Sequence, residues 1–91
     1  NIQQAFKPLY EKISRHINAL DITKDLEFSI GITLNLTNKS LYFKVYGQNL
    51  NGQLKAKILN SLDTIYFPRK LPKLPQKILK FKVPIKITNN S

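Results

Sequence analysis

Hydrophobic and polar positions along this chain follow two rhythms, and each rhythm marks a kind of element. Between residues 2 and 20, Ile2, Phe6, Leu9, Ile13, Ile17 and Leu20 recur at spacings of three and four, while Lys7, Glu11, Lys12, Arg15 and Asn18 take the other faces. That is the stripe of an amphipathic helix. Pro8 interrupts it. A proline inside a helix removes a hydrogen bond and collides with the preceding turn, so the regular helix is expected to begin near residue 7 with Pro8 in its first turn. A second stripe, Leu50, Leu54, Ile58, Leu62 and Ile65 with Leu59 beside it, predicts a helix over roughly residues 50–64. Asn49 or Asn51 is available to cap its start, and Gly52 weakens its first turn a little.

Between the helices the period changes to two. Leu26, Phe28, Ile30, Ile32, Leu34 and Leu36 alternate with Glu27, Ser29, Gly31, Thr33 and Asn35. Such a strand puts one face on a core and the other in water. After the polar turn Thr37-Asn38-Lys39-Ser40, Leu41, Phe43 and Val45 alternate with Tyr42, Lys44 and Tyr46, so the two runs predict a hairpin that ends at Gly47. Beyond the second helix, Phe67-Pro68-Arg69-Lys70-Leu71-Pro72-Lys73-Leu74-Pro75 holds too many prolines for regular structure and is expected to cross the surface extended. Leu79, Phe81, Val83, Ile85 and Ile87 then alternate with Lys80, Lys82, Pro84 and Lys86 as a third strand. Pro84 cannot donate to a ladder, so this strand belongs at an edge with the proline nitrogen facing outward. Thr88 to Ser91 is a tail.

The predicted order is α-β-β-α-β, an α+β fold. A crossover from the second strand through the helix sets the third strand beside the first, antiparallel to it, in a three-stranded sheet of order 2-1-3. Each helix has one apolar stripe, so both cover the same sheet face and two layers result. The other face carries Glu27, Ser29, Thr33, Tyr42, Lys44, Tyr46, Lys80, Lys82 and Lys86.

Length and composition narrow the function. Residues 1–91 form one domain, too short for two. The opening Asn1-Ile2-Gln3-Gln4 lacks the pattern of a signal peptide, and no apolar run reaches the ~18 residues of a membrane span. The absence of cysteine excludes disulfides, thiolate metal sites and a cysteine nucleophile. His16 is the only histidine, expected at the surface or on a helix flank, and with no cysteine to join it a metal site is not expected. The five acids are scattered, although Asp25 and Glu27 share a strand face, and Gly31, Gly47 and Gly52 make no phosphate loop. The sequons at Asn35, Asn38 and Asn89 are what an Asn-rich chain contains by chance. These features describe a non-enzymatic domain without cofactor or metal.

Charge points to the class of partner. Fifteen Lys and Arg against Glu11, Asp21, Asp25, Glu27 and Asp63 give a net +10, and after Asp63 only cations follow: Arg69, Lys70, Lys73, Lys77, Lys80, Lys82 and Lys86. Such a field favours acidic proteins, nucleic acid or anionic envelope surfaces, unless it reflects a lysine-rich proteome alone. Tyr42 and Tyr46 with Lys44 between them could stack bases on the open sheet face. The element order, which lacks a leading strand, and the absence of a Gly-x-x-Gly loop weigh against RNA-recognition and KH modules. Edge-strand backbone groups that an extended protein segment can complete are the other candidate, with lysines that also guard the edge against aggregation.

The element order, the clean first strand, the Phe67-Pro68 and Leu71-Pro72 segment and the final Lys82-Val83-Pro84-Ile85-Lys86-Ile87 together resemble the C-terminal domains of the TonB/TolA family. The chain departs from that pattern in its Thr37-Asn38-Lys39-Ser40 turn, where an acidic or Asn residue followed by Gly is usual, and in a second helix that is not alanine-rich. The helix around Leu9-Tyr10-Glu11-Lys12-Ile13, in place of a Tyr-Pro entry before the first strand, looks more like TolA than TonB. The resemblance implies a periplasmic domain at the end of a longer protein anchored in the inner membrane of a Gram-negative bacterium, coupling a proton-driven motor to outer-membrane or periplasmic partners without cofactor or active site. Implied partners are a TolB-like protein, with a colicin or phage coat protein exploiting the same domain, or, for TonB, a segment of an outer-membrane receptor. Implied contacts are by strand addition at Lys80, Phe81, Lys82, Val83, Pro84, Ile85, Lys86 and Ile87, in a monomer or a strand-exchanged dimer. A basic nucleic-acid-binding α+β domain is the further alternative.

Overall fold

The computed structural model describes residues 2–69, 71 and 73–88, with backbone alone for residues 2 and 3. Along it run α1 (Ile2–Ala5), α2 (Lys7–Asn18), β1 (Leu26–Asn35), β2 (Ser40–Tyr46), α3 (Gly52–Leu62) and β3 (Ile78–Ile87). The single helix expected over residues 2–20 is therefore two pieces. Phe6 breaks it at φ −100° and ψ 1°, and Pro8 falls in the first turn of α2, where its missing N–H costs nothing. The helix stops at Asn18, and Ala19 and Leu20 close the end by donating to the Arg15 and Ile17 carbonyls. Of the two asparagines that could cap α3, Asn51 does so: its Oδ1 accepts from the Leu54 N–H at 2.7 Å.

The sheet has the order β2-β1-β3, and β1 is antiparallel to both neighbours. Its register runs from Ser29 opposite Tyr46 to Asn35 opposite Ser40 on one side, and from Leu26 opposite Ile87 to Asn35 opposite Ile78 on the other. The hairpin turn is built from asparagine side chains. Asn35 Oδ1 accepts the N–H of Thr37 and of Asn38, and Asn38 Oδ1 accepts that of Ser40. Lys39 sits at φ 57°, the left-handed position where glycine is usual.

Helices cover one face of the sheet, and the even-numbered residues of β1 are its floor. Leu26, Phe28, Ile30, Ile32 and Leu34 are all buried, under Leu9, Ile13 and Ile17 from α2 and Ile58 and Leu62 from α3. Phe6 between α1 and α2, Ile65 just beyond α3 and Val45 from β2 complete that core. The helices are tied to each other by His16, whose Nδ1 donates to the Ser61 carbonyl at 2.7 Å; the acceptor has no proton to give, which fixes the tautomer.

β3 is covered less completely. Its helix-facing residues Leu79, Phe81, Val83, Ile85 and Ile87 are all half-buried. Phe81 is the best held, with the Phe6 ring 5.0 Å away and the Tyr10 ring edge-on at 6.4 Å. Burial there pushes the Tyr10 phenol above its ordinary 10.0. The segment between α3 and β3 forms no helix or strand among its described residues, as its prolines demand. It does more than cross the surface, because Phe67, Leu71 and Leu74 pack against the core; Lys70 and Pro72 lie outside the described residues.

This unequal burial predicts unequal costs. Ile30→Ala, in the central strand, should lose about 3 kcal/mol, a large part of the ~5–15 kcal/mol typical of a domain. Ile85→Ala, in half-covered β3, should lose about 1 kcal/mol. Urea denaturation of the two variants checks the ranking, and equal losses would contradict it.

Candidate protein-binding edge

A single hydrogen bond fixes which way every backbone group of β3 points. The Leu36 N–H donates to the Lys77 carbonyl at 2.8 Å, and these two residues lie opposite each other in the continued β1–β3 register. In an antiparallel ladder, bonded and non-bonded pairs alternate. Leu79, Phe81, Val83, Ile85 and Ile87 therefore direct their backbone N–H and C=O groups at β1. Ile78, Lys80, Lys82, Pro84 and Lys86 direct theirs away from the sheet, at the open edge. Pro84 stands at an outward position, where its lack of an N–H costs the β1 ladder nothing. The eight residues from Lys80 to Ile87 thus split into two sets with different work: the odd-numbered ones attach the strand, and the even-numbered ones form an edge that no other described strand pairs.

The same even-numbered residues place their side chains on the uncovered sheet face. Across Gly31 in the register lie Lys44 on β2 and Lys82 on β3. The Tyr46 ring lies over Gly31, so close that a Cβ there would come within 2.8 Å of its Cε2. Onto that ring reach Lys82, with Nζ 4.4 Å from the centroid, and Lys44 at 5.3 Å. One aromatic ring from β2 thereby lies across Gly31 of β1 and meets β3 through its cation–π contact with Lys82. Farther along, Lys86 Nζ meets Glu27 Oε1 at 3.7 Å, both side chains being well exposed. At the other end Tyr42 and Lys80 flank Thr33, and Tyr42 is 62 % exposed.

Those contacts change the meaning of the two tyrosines on the open sheet face. Tyr46 is engaged by two ammonium groups, so a base could stack on it only by displacing a lysine, and on the open sheet face that leaves Tyr42 as the open ring. The role of Gly31 was not foreseen in the sequence, although a glycine amid an otherwise regular alternation is the mark of a close approach.

Elsewhere the surface offers shallow grooves on both sides of the proline-rich segment. One, of about 410 Å³, runs between Pro8, Leu9 and Lys12 and the stretch from Tyr66 to Arg69; the other is floored by Leu36, Phe67 and Leu74. Their linings are apolar and basic, with neither an acid nor a histidine to move a proton. Among the described residues no three His, Cys, Asp or Glu side chains gather where they could hold a metal ion, and no helix is long and apolar enough to cross a membrane.

No protein-family model, curated protein or solved structure matches the chain.

The ring over Gly31 can be tested directly. The ε-methylene protons of Lys82 should resonate upfield, shifted by the Tyr46 ring current, and should return toward ordinary values in Tyr46→Leu. Gly31→Ala should displace the ring and produce the same change, although replacing a strand glycine by alanine ordinarily gains about 0.5–1 kcal/mol. Unshifted Lys82 protons in the unaltered protein would refute the contact.

Proposed function

We propose that this chain is the protein-binding end domain of a TolA-like envelope energy-coupling protein, and that it takes hold of its partner by accepting an extended segment along the β3 edge. The observation that carries this reading is the outer edge of β3, which no strand pairs among the described residues: β3 is ten residues long, and Ile78, Lys80, Lys82, Pro84 and Lys86 turn their backbone groups outward. An incoming strand would complete those hydrogen bonds, while neighbouring side chains select which strand is accepted. The α-β-β-α-β order with sheet order β2-β1-β3 and the Val83-Pro84-Ile85 strand support the family resemblance from which the envelope setting is drawn. On this reading the domain works mechanically. A pull delivered along β3 passes into β1 through the ladder and so into the whole core.

The parent protein would be anchored in the inner membrane and would present this domain in the periplasm to a TolB-like protein. A TonB-type role, with an outer-membrane receptor segment on the same edge, is the alternative. Binding of single-stranded nucleic acid on the open face is less well supported, because Lys44 and Lys82 already occupy the Tyr46 ring.

Amide NMR titrations with the N-terminal extended segment of a TolB-like protein, a TonB-box peptide and a short single-stranded oligonucleotide distinguish these roles. Shifts confined to β3 and driven by the TolB segment are expected. A preference for the TonB box would move the assignment to TonB, and shifts centred on Tyr42 with the oligonucleotide would refute the envelope reading. Proline substitution supplies the backbone test. Lys82→Pro removes an outward donor, so it should abolish partner binding in a folded domain, whereas Lys82→Arg, which keeps the donor and the charge, should retain most of it. Val83→Pro removes a donor to β1 and should instead detach β3, at a cost of about 3 kcal/mol or more.

A further inference from the structure

We infer that the segment accepted at this edge is acidic, with apolar residues between its acids, and that it docks on the Ile78–Lys82 half of β3 rather than on the Pro84–Ile87 half. This rests on the reading of β3 as a strand-accepting edge and adds the chemistry and the place of the occupant.

The two halves differ in backbone and in charge. In the first half, Ile78, Lys80 and Lys82 each present an outward N–H as well as a carbonyl. In the second half Pro84 has no N–H to offer, so a strand laid there loses a bond in the middle of the ladder. The lysines divide in the same way. Lys86 is already beside Glu27, at 3.7 Å, and that carboxylate would repel an incoming acid. Lys82 rests on the Tyr46 ring, which leaves its positive charge uncompensated. Lys80 makes no ion pair or ring contact among the described residues. Uncompensated positive charge therefore lies at Lys80 and Lys82, and β3 contains no acid to offset it.

Side-chain alternation supplies the rest of the pattern. A strand added beside β3 would direct every second residue to the open face, next to Lys80 and Lys82, and the intervening residues to the helix layer. On the helix side it would meet Leu79 and Phe81, which are only half-buried, with Tyr10 packed edge-on against Phe81. On the open side Ile78, 51 % exposed, is an apolar neighbour before the first lysine. Acids facing the lysines and apolar residues facing Leu79 and Phe81 fit both faces together. The same lysines would turn away a basic strand, including a second copy of β3, by like-charge repulsion.

Amide NMR titration of the protein with two synthetic peptides of about eight residues, one alternating valine with glutamate and the other valine with glutamine, tests the inference. The glutamate peptide should shift the amides of Ile78, Lys80 and Lys82 and bind at least about fivefold more tightly than the glutamine peptide, an advantage that shrinks as salt is raised. Lys80→Glu should weaken it about tenfold, while Lys86→Glu should change it by no more than about twofold. Both side chains are exposed, and circular dichroism of each variant checks that the fold is retained. Equal affinity for the two peptides, or shifts centred on Ile85 to Ile87, would overturn this inference and leave strand addition standing. Failure of both peptides and of the TolB and TonB segments to shift any β3 amide would overturn the strand-accepting edge as well.

Discussion

β1 must be hydrogen-bonded on both sides, and the rest of the molecule follows from that requirement. Its even-numbered residues from Leu26 to Leu34 are the floor of the core, so its backbone lies at the centre of the sheet, where an unpaired N–H or C=O would be costly. One side is satisfied locally by the hairpin to β2. The other can be satisfied only by a strand that arrives from beyond α3, and β3 is that strand. Because β1 supplies both ladders, β2 and β3 become edges that never meet each other. The helices then have one face to cover, and they share it, joined through His16 and the Ser61 carbonyl.

The two edges that result are not equivalent. β2 belongs to a short hairpin and turns outward the backbone of Leu41, Phe43 and Val45, the residues on its helix-covered side. β3 is longer, half-covered, and turns outward the backbone of residues whose side chains lie on the open face. Three of those are lysines and one is a proline, a combination that resists casual strand pairing while leaving most of the edge usable. Selective acceptance of one kind of strand is what such an edge can do, and a mechanical role needs that edge to be anchored well. Ten paired positions along β1 supply the anchorage.

Alternation in β1, β2 and β3 was legible in the sequence, and with it the order of the sheet, because a strand containing Pro84 has to lie at an edge and the cleanest strand in the middle. The nine residues expected on the open face are there. The split at Phe6 was only half legible. Pro8 announces where α2 can begin, but Phe6 leaves the helical conformation at a site where it is fully buried with its ring tilted against Phe81, a partner far away in sequence. For the same reason the inward turn of Phe67, Leu71 and Leu74 was hidden inside a proline-rich stretch that reads as surface. At the edge, the run Lys80 to Ile87 could be named from its alternation. What separates outward Lys80 and Lys82 from inward Phe81 and Val83 is the phase of the ladder, and that phase is set by the pairing of Leu36 with Lys77.

Amide hydrogen exchange along β3 tests the central claim most directly. If β1 holds this strand on one side and the other side is vacant, Leu79, Phe81, Val83, Ile85 and Ile87 should exchange slowly, while Ile78, Lys80, Lys82 and Lys86 exchange fast, in strict alternation. Slow exchange at both sets would mean that the edge is already covered, and fast exchange at both would mean that β3 is not held by β1. Either result would contradict a firmly anchored, open edge.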